Sequence, residues 1–227
     1  MSFQPYVPPE QLIKDRSEFA RKGIGRGKSV VAIEYADGIV FLAENPSATL
    51  HKISEIYDRI AFAGVGKYSE FEDLRIAGVR HADLRGYSYG REDVTAKSLA
   101  NAYSQALSSI FTTQMKPYEV EILVGQVGDS PAQNELFHIL YDGSIADEKG
   151  FVGVGGRSEE LTAHLKEAYR DQMLLDDALR VASAALTETE EHPVPPEHLE
   201  AAVLDRNQAR RKFRRVGDDE LAGILQG

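Results

Sequence analysis

Six histidines are the residues whose side chains could bind a metal ion or transfer a proton near neutral pH. A zinc site on a helix requires two histidines one turn apart, as in His-x-x-x-His or His-Glu-x-x-His. No two histidines of this chain have that spacing. The sequence therefore predicts no metal site and no bound cofactor. The six are His51, His81, His138, His164, His192 and His198.

Nucleophilic side chains of the familiar kinds are not indicated either. The chain has no cysteine, which excludes a thiolate nucleophile, a disulfide and a cysteine metal site. We also expect no nucleophile elbow of the α/β-hydrolase type. The lack of cysteine fits a reducing compartment, and we expect a cytoplasmic protein.

Two glycine-rich segments could bind a phosphate group. The segment GRGKS at residues 25–29 ends in the Gly-Lys-Ser of a Walker loop, but it follows a predicted helix and opens a strand, which is the reverse of the required order. The segment GVGG at residues 153–156 lacks the third glycine of the dinucleotide fingerprint. We interpret it as tight packing between a strand and a helix, with a small-molecule-binding α/β module as the alternative.

The charge of the chain argues against nucleic acid as a partner. The net charge is −10, whereas nucleic-acid binding requires a basic face. Residues 206–215 carry six Lys and Arg side chains and could contact an acidic partner, although a solvated surface is the more usual interpretation. No apolar run approaches the ~20 residues of a membrane helix. The first residues, MSFQPYVPPEQ, lack a signal-peptide pattern, so we also expect no membrane contact.

The elements that would position these residues begin with a helix. Residues 1–9 are rich in proline and predict an extended arm, with Pro9 suited to the first position of a helix through residues 10–22. Two hairpins are predicted next, at residues 29–46 around Asp37-Gly38 and at residues 53–66 around Asp58-Arg59. Their strands are apolar on both faces in places, which predicts cover on both sides of the sheet.

Blocks of helices and strands follow. Ser69 and Glu72 have the spacing of a capping box before a helix predicted to end near His81. The order of blocks favours stacked antiparallel sheets flanked by helices, so we predict an α+β fold with an arm at residues 1–9 and one domain over residues 10–227. The remaining predicted elements are a helix at 94–114, strands at 118–128, 135–143 and 151–156, helices from Ser158 and at 174–186, a hairpin at 198–205 and 209–216, and a helix at 218–225.

The order and spacing of several motifs resemble those of proteasome α-type subunits, most of all the actinobacterial kind. The predicted first helix ends in the segment EFAR, residues 18–21, and a basic turn leads into SVVAIEYADGIVFLAENP and Lys52-Ile53. The similarity continues through KISEIYDRIAFAGVGKYSEFEDLR, KPYEVEILV, YDGSIADE and GVGG. Each motif is weak alone, but together they cover essentially the whole chain.

The resemblance implies a four-layer α/β/β/α sandwich of antiparallel sheets, which is the fold of N-terminal-nucleophile hydrolases. It also implies a seven-membered ring of neighbouring α subunits, capping a ring of β subunits that hold the proteolytic sites of a 20S core particle. Unfolded protein substrates would pass through this ring. A hexameric proteasomal ATPase or another activator would dock on it through C-terminal tails.

Catalysis in this superfamily uses a threonine freed as residue one, whose own α-amine takes the proton from its hydroxyl. The resemblance places Lys28-Ser29 where that threonine would be, after an arm and a helix. We therefore expect no catalytic residue and a structural, gating subunit. The alternative is an N-terminal-nucleophile hydrolase activated by cleavage before Ser29.

Lys52 matches the lysine that assists the threonine in β subunits. In α rings that resemble this chain, the lysine at this place lines a cleft between neighbouring subunits and pairs with the C-terminal carboxylate of an activator tail. A lysine suits this task because a partly desolvated carboxylate needs a cation. We expect Lys52 to bind activator tails, with a surface lysine at a strand edge as the alternative.

The resemblance also implies that the N-terminal arm forms a gate at an axial pore. The Tyr-Asp-Arg tripeptide of the archaeal arm is absent. Glu18-Phe19 stands where the familiar pair is Glu-Tyr, so a hydroxyl that helps to lock the open gate is missing. The residues expected to form the gate are Ser2, Phe3, Gln4, Pro5, Tyr6, Val7, Pro8, Pro9, Glu18 and Phe19.

Overall fold

The computed structural model describes residues 8–189 and 194–226, which form ten strands and six α-helices. The helices are α1 (Pro9–Ile24), α2 (Tyr68–Ser88), α3 (Ala96–Thr113), α4 (Ser158–Ala168), α5 (Leu175–Thr189) and α6 (Asp218–Gln226). The strands are β1 (Val30–Tyr35), β2 (Gly38–Glu44), β3 (Ile53–Tyr57), β4 (Ile60–Gly66), β5 (Val120–Gln126), β6 (Glu135–Ile139), β7 (Ile145–Glu148), β8 (Phe151–Val154), β9 (Leu199–Asp205) and β10 (Phe213–Val216).

The strands form two five-stranded sheets that pack face to face. Their orders are β10-β9-β2-β1-β8 and β3-β4-β5-β6-β7, and every neighbouring pair is antiparallel. One apolar cluster lies between the sheets, a second lies between the first sheet and α4, α5 and α6, and a third lies between the second sheet and α2 and α3. This arrangement confirms the predicted α/β/β/α sandwich.

The apolar runs of the central strands are explained by this double cover. Along β1, Val30 and Ala32 face the other sheet, while Val31 and Ile33 face α4 and α5. Successive side chains of a strand point to opposite faces, so a strand buried on both faces has no polar alternation. The prediction that both sides of the sheet are covered is confirmed.

Helix α1 is part of the core as well as of the surface. It begins at Pro9, as predicted, and its last turns contribute Ala20 and Ile24 to the cluster between the sheets. The Arg16 guanidinium donates to the carbonyl of Phe111 at the end of α3. The Arg21 Nε donates to the Tyr141 hydroxyl at 3.1 Å. The two charged residues therefore fasten α1 to α3 and to the turn that follows β6.

The first hairpin turns one residue earlier than predicted. Its two turn residues are Ala36 and Asp37, and Gly38 already pairs with Tyr35 as the first residue of β2. A Cβ at Gly38 would lie 1.8 Å from the carbonyl oxygen of Leu204 in β9. The glycine is therefore needed for the close approach of two strands rather than for the turn.

The predicted capping box at Ser69 was wrong. Helix α2 begins at Tyr68, so Ser69 lies inside its first turn, and the N-cap residue Lys67 makes no side-chain capping bond. The helix also continues to Ser88, beyond the predicted end near His81. Its C-terminal half still buries Ala82, and packing of this kind extends a helix past the point where its local pattern weakens.

Strand β7 was not predicted. It has the sequence IADE, and none of its residues is buried, because it lies at the edge of the second sheet. Its turn uses Gly143 at φ 89°, where a side chain would be strained. A short polar edge strand has no apolar pattern by which it could be recognised.

The basic segment at residues 206–215 contacts acidic groups of the same chain. Arg211 pairs with Glu55 on β3, Arg214 with Glu220 on α6 at 3.0 Å, and Arg215 with Glu200 at 2.6 Å. The first two pairs fasten the last hairpin to its neighbours, and the third joins its two strands. In the described part of the chain, no helix is long and apolar enough to cross a membrane.

Candidate functional site

Ser29 lies immediately before β1, at the place where the resemblance predicts the N-terminal nucleophile of a catalytic subunit. Its side chain is buried, with 3% of the residue exposed, and its carbonyl accepts from the amide of Glu44 at 3.2 Å. A Cβ at Gly155 would lie 2.7 Å from the Ser29 Oγ, so protein atoms crowd the hydroxyl. The nitrogen of Ser29 is a peptide nitrogen, which cannot take the proton that an α-amine would take.

Cleavage before Ser29 would also cost part of the core. It would remove α1, whose Ala20 and Ile24 are 0% and 2% exposed within the cluster between the sheets. Loss of buried side chains destabilises a fold by the lost transfer energy and by the cavity that remains. The structure therefore gives no support to an enzyme activated by cleavage at this bond.

Lys52 lies immediately before β3, beside the opening of β1. Its Nζ donates to the carbonyl of Lys28, and to the carbonyl of Glu44 at 3.4 Å. Both acceptors are main-chain carbonyls, so these two bonds orient the ammonium group. The Lys28 Nζ pairs with the Glu44 Oε1 at 2.8 Å, which brings two cations and one carboxylate together.

A groove of about 180 Å³ contains these charged groups. The loop between β2 and β3 forms one wall with Pro46 and Leu50, and the start of α2 forms the other with Tyr68 and Phe71. Gly66 makes the turn into α2 at φ 104°, a backbone conformation that glycine adopts readily. An apolar groove with ammonium groups at its edge suits a peptide terminus, whose carboxylate needs a cation and whose side chains need apolar cover.

One oxygen of the Glu44 carboxylate, beside this groove, lacks a hydrogen-bond donor among the described residues. The residue is 7% exposed, and its Oε2 has no hydrogen-bond partner among the described residues. A buried carboxylate oxygen is a strong acceptor, and leaving it unpaired is costly. This oxygen is buried beside the groove, and the described residues leave it without a donor.

Those residues expected to form the gate that the structure describes lie on or next to α1. Pro8 precedes the helix and Pro9 opens it, so Pro9 belongs to α1 rather than to an arm. Glu18 is exposed and lies 3.9 Å from the Lys14 ammonium. The other gate residues predicted in the arm, which are Ser2, Phe3, Gln4, Pro5, Tyr6 and Val7, lie outside the described residues.

Phe19 stands where a tyrosine was expected, and the ring, which lacks the tyrosine hydroxyl, is contacted by Lys116. The Lys116 Nζ lies 5.5 Å from the centroid of its ring, within the range of a cation–π interaction. The same ammonium group pairs with Glu70 at 2.6 Å and with Glu119 at 2.8 Å. Burial disfavours the charged form of Lys116, but the hydrogen bonds to Glu119 and Glu70 outweigh it and raise the pKa of the ammonium group.

The groove and helix α1 are joined through the first turn of α2. Tyr68 lines the groove, and Glu70, two residues later, holds the Lys116 that covers Phe19. Sequence reasoning found Lys52 and Phe19 but missed Glu70 and Lys116. Their roles depend on contacts across 46 residues of chain, for which the sequence carries no local signal.

Neither glycine-rich segment is shaped to hold a phosphate. A Cβ at Gly153 would lie 2.7 Å from the Leu161 side chain, and one at Gly156 would lie 2.8 Å from the carbonyl oxygen of Gly25. The two segments therefore pack against each other and against α4, which confirms tight strand-to-helix packing at residues 153–156.

A Gly-x-Ser-x-Gly string does occur in the chain, at residues 86–90. Ser88 is the last residue of α2, and Tyr87 and Tyr89 on either side of it are 92% and 77% exposed. A nucleophile elbow joins a strand to a helix, whereas this string ends a helix. It is therefore not a hydrolase elbow.

The histidines make separate contacts in the described ranges. His138 lies 3.0 Å from Glu121, His164 lies 2.5 Å from Glu188 and His51 lies 3.3 Å from Glu200, whereas His192 is outside the described residues. Within residues 8–189 and 194–226, no three side chains of the metal-binding kinds are close enough to hold an ion.

Comparison with known proteins gives a family and a set of relatives. The family model described as "Proteasome subunit" matches residues 24–204. A protein of Kineococcus radiotolerans named "Proteasome subunit alpha" is 54% identical over 100% of this chain and 99% of its own length. Proteins of the same name from Frankia alni and Streptomyces coelicolor are 57% and 54% identical. They cover 97% and 100% of this chain, and 95% and 91% of their own lengths.

Proposed function

The chain belongs to the proteasome subunit family, and we propose that it is a non-catalytic α-ring subunit of a bacterial 20S core particle. The observation that carries this proposal is the position of Ser29, which is buried, peptide-bonded and preceded by a helix of the core. The names of the relatives point the same way. The threonine-protease sites of the particle then lie on the β subunits.

The subunit has neighbouring α subunits and β subunits as partners, in a ring of seven. The outer face of α1 supports a contact of this kind, since Leu12, Ile13 and Phe19 are 47%, 55% and 47% exposed. Met115 lies next to them and is 96% exposed. Contiguous apolar surface of this kind marks protein interaction sites. A neighbouring subunit of the ring covers this face.

Lys52 binds the C-terminal carboxylate of an activator tail, and the activator is a hexameric ATPase. The groove supports this role because it combines an oriented ammonium group with the apolar wall of Pro46, Leu50 and Tyr68. A hydrogen bond to a charged group contributes about 1.5–3 kcal/mol. The arm ahead of α1 closes the pore to unfolded substrates, and Glu18 and Phe19 on α1 support it.

The docking role is tested with the core particle assembled from this chain and its β partner. We expect Lys52→Ala to weaken activator binding by about tenfold to a hundredfold, because one charge-assisted hydrogen bond is lost. Binding is measured by fluorescence anisotropy with a labelled C-terminal peptide of the ATPase. Lys166→Ala, which removes an exposed lysine of α4, serves as the matched control and leaves binding unchanged.

Two outcomes would contradict the proposal. Undiminished binding by the Lys52→Ala particle would exclude the docking role. Peptide hydrolysis by the isolated chain, together with an intact mass that begins at Ser29, would indicate an N-terminal-nucleophile enzyme instead.

A further inference from the structure

We propose that Glu200 is a positioning residue for the docking groove, because it fixes the loop that carries Lys52. The inference rests on the proposed docking function of Lys52. Glu200 lies on β9, in the other sheet from β3, and none of the motifs that identified the groove includes it.

Both oxygens of the Glu200 carboxylate are engaged by this loop and its surroundings. The Oε2 accepts from the amide of Lys52 at 2.8 Å and from the Asn45 Nδ2 at 2.7 Å. The Oε1 accepts from the amide of Ile53 at 3.2 Å and from the Arg215 Nη1 at 2.6 Å. The Nδ1 of His51 lies 3.3 Å from the same oxygen, and the side chain of Glu200 is only 10% exposed.

These contacts close the loop between β2 and β3 at both of its ends. Asn45 is its first residue and Lys52 its last, and a single carboxylate oxygen binds both. Between them the loop has no regular structure, and its wall residues Pro46 and Leu50 are exposed. The position of this wall therefore depends on bonds made by side chains, chiefly those of Glu200 and Asn45.

Lys52 is held from two sides as a result. Glu200 fixes its main chain, while the carbonyls of Lys28 and Glu44 orient its ammonium group. A displacement of the main chain would move the ammonium group relative to the apolar wall. A tail that needs a carboxylate contact and apolar cover at the same time would then lose one of them.

An amide cannot replace the carboxylate at this place. Four hydrogen-bond donors point at the two oxygens, two at each. A glutamine has one acceptor oxygen and one donor NH₂ group, so in either orientation its NH₂ faces two donors. Glu200→Gln keeps the size of the side chain and breaks one half of the contacts.

The test measures tail binding to the assembled core particle. The probe is the C-terminal peptide of the hexameric ATPase, with a free carboxylate in one form and an amidated end in the other. We expect Glu200→Gln to weaken binding of the free-acid peptide about tenfold and to leave binding of the amidated peptide nearly unchanged. Glu197→Gln, which changes the same charge at an exposed position three residues away, is the matched control and binds like the wild type.

A double-mutant cycle separates positioning from a general loss of structure. If Glu200 acts through Lys52, Glu200→Gln weakens binding no further once Lys52→Ala is present. The inference would be overturned if Glu200→Gln weakened binding as much in the Lys52→Ala particle as in the wild type. It would also be overturned if the Glu200→Gln particle bound the free-acid peptide as tightly as the wild type. Asn45→Ala removes the other side-chain tie of the loop. It should show the same dependence on Lys52 with a smaller effect, which keeps the test valid if Glu200→Gln fails to assemble.

The two proposals fail in different ways. If the wild-type particle does not distinguish the acid from the amidated peptide, the docking role of Lys52 is excluded. If it does distinguish them and Glu200→Gln binds both as the wild type does, the inference on Glu200 alone is excluded.

Discussion

Gly38 sets the distance between β2 and β9 by having no side chain. A Cβ at this position would lie 1.8 Å from the carbonyl oxygen of Leu204 and 2.9 Å from its carbonyl carbon. Both are main-chain atoms of a central strand pair, so they cannot move aside as the end of a flexible side chain would. The cost of a larger residue must therefore be taken up by separation of the two strands.

We expect Gly38→Ala to lower the free energy of unfolding by about 1–3 kcal/mol, the usual cost of overpacking. Equilibrium urea denaturation followed by circular dichroism measures it. Gly223→Ala is the matched control, because a Cβ there meets no atom within 4 Å and the residue lies within α6. That change should leave stability unchanged or raise it by up to about 1 kcal/mol. Equal stability of the two variants would contradict the assignment.

Some residues of the candidate site could be predicted from the sequence, and others could not. Ser29 and Lys52 are recognised because they stand at fixed places in a run of local motifs. Glu200 is separated from Lys52 by 148 residues and from Asn45 by 155, so nothing near it in the sequence indicates its partners. The role of Glu200 depends on its hydrogen bonds to main-chain amides far away in the sequence, so it can be recognised only from the packing of the two sheets.

Helices α2 and α3 pack around a buried hydroxyl group. Tyr103 on α3 is 3% exposed, and its hydroxyl has no hydrogen-bond partner among the described residues. Gly78 on α2 leaves room for it, since a Cβ there would lie 1.8 Å from the hydroxyl oxygen. The two helices therefore approach each other at a glycine opposite a tyrosine, and the hydroxyl contributes a desolvation cost.

We expect Tyr103→Phe to raise the free energy of unfolding by about 1 kcal/mol, because it removes an unpaired buried hydroxyl. Burial raises the pKa of Tyr103 above the ordinary value of 10.0. Above pH 10 the Tyr103 hydroxyl releases its proton in the unfolded chain and keeps it in the folded chain, so the free energy of unfolding of the wild type falls as pH rises. The variant has no such hydroxyl, so its free energy of unfolding falls less over the same range. Denaturation at pH 8 and pH 10.5 measures both effects. A variant less stable than the wild type would contradict the assignment.

A second substitution tests the same contact from the other helix. Gly78→Ala should destabilise the wild type, and part of that loss should disappear in the Tyr103→Phe background. Recovery is partial, because the new Cβ would still lie 2.7 Å from the ring carbon Cζ. Additive effects of the two changes would show that the helices do not meet at this pair.

Most elements could be predicted from their periodicity, and the exceptions have a common cause. The stripes of α3 and α5 and the apolar runs of β1 and β2 are local patterns. The last turns of α2 and the whole of β7 depend on what lies beside them, namely the second sheet and the edge of β6. Tertiary contact determines such segments, and a sequence window does not contain it.

The first described residues of the molecule, from Pro8 to Phe19, lie outside the buried core. Along the described part of the chain, Ala20 is the first buried residue, so the residues from Pro8 to Phe19 contribute little to the packing of the sandwich. The four layers could be predicted from the order of strands and helices. The proposed relation of the arm to a pore could not be predicted from these patterns, because it depends on other subunits.

We expect removal of residues 2–8 to speed peptide hydrolysis by the assembled particle several-fold without activator, while the thermal stability of the particle stays the same. The truncation stops short of Pro9, so α1 keeps its first residue and its anchors. A fluorogenic peptide assay measures the rate, and an intact particle with the Lys166→Ala change serves as the reference. Unchanged hydrolysis would contradict a gating role for the arm.

The anchoring of α1 at only one end makes the helix a lever. Its inner part is held at Arg16, Ala20 and Ile24, whereas Pro9 lies 7 residues before Arg16 on the exposed end. At about 1.5 Å of rise per residue, that distance is about 10 Å. A tilt of about 10° around Arg16 would carry Pro9 by about 2 Å. A small rearrangement at the pivot, where Lys116 rests on Phe19, would thus be amplified at the end from which the arm extends.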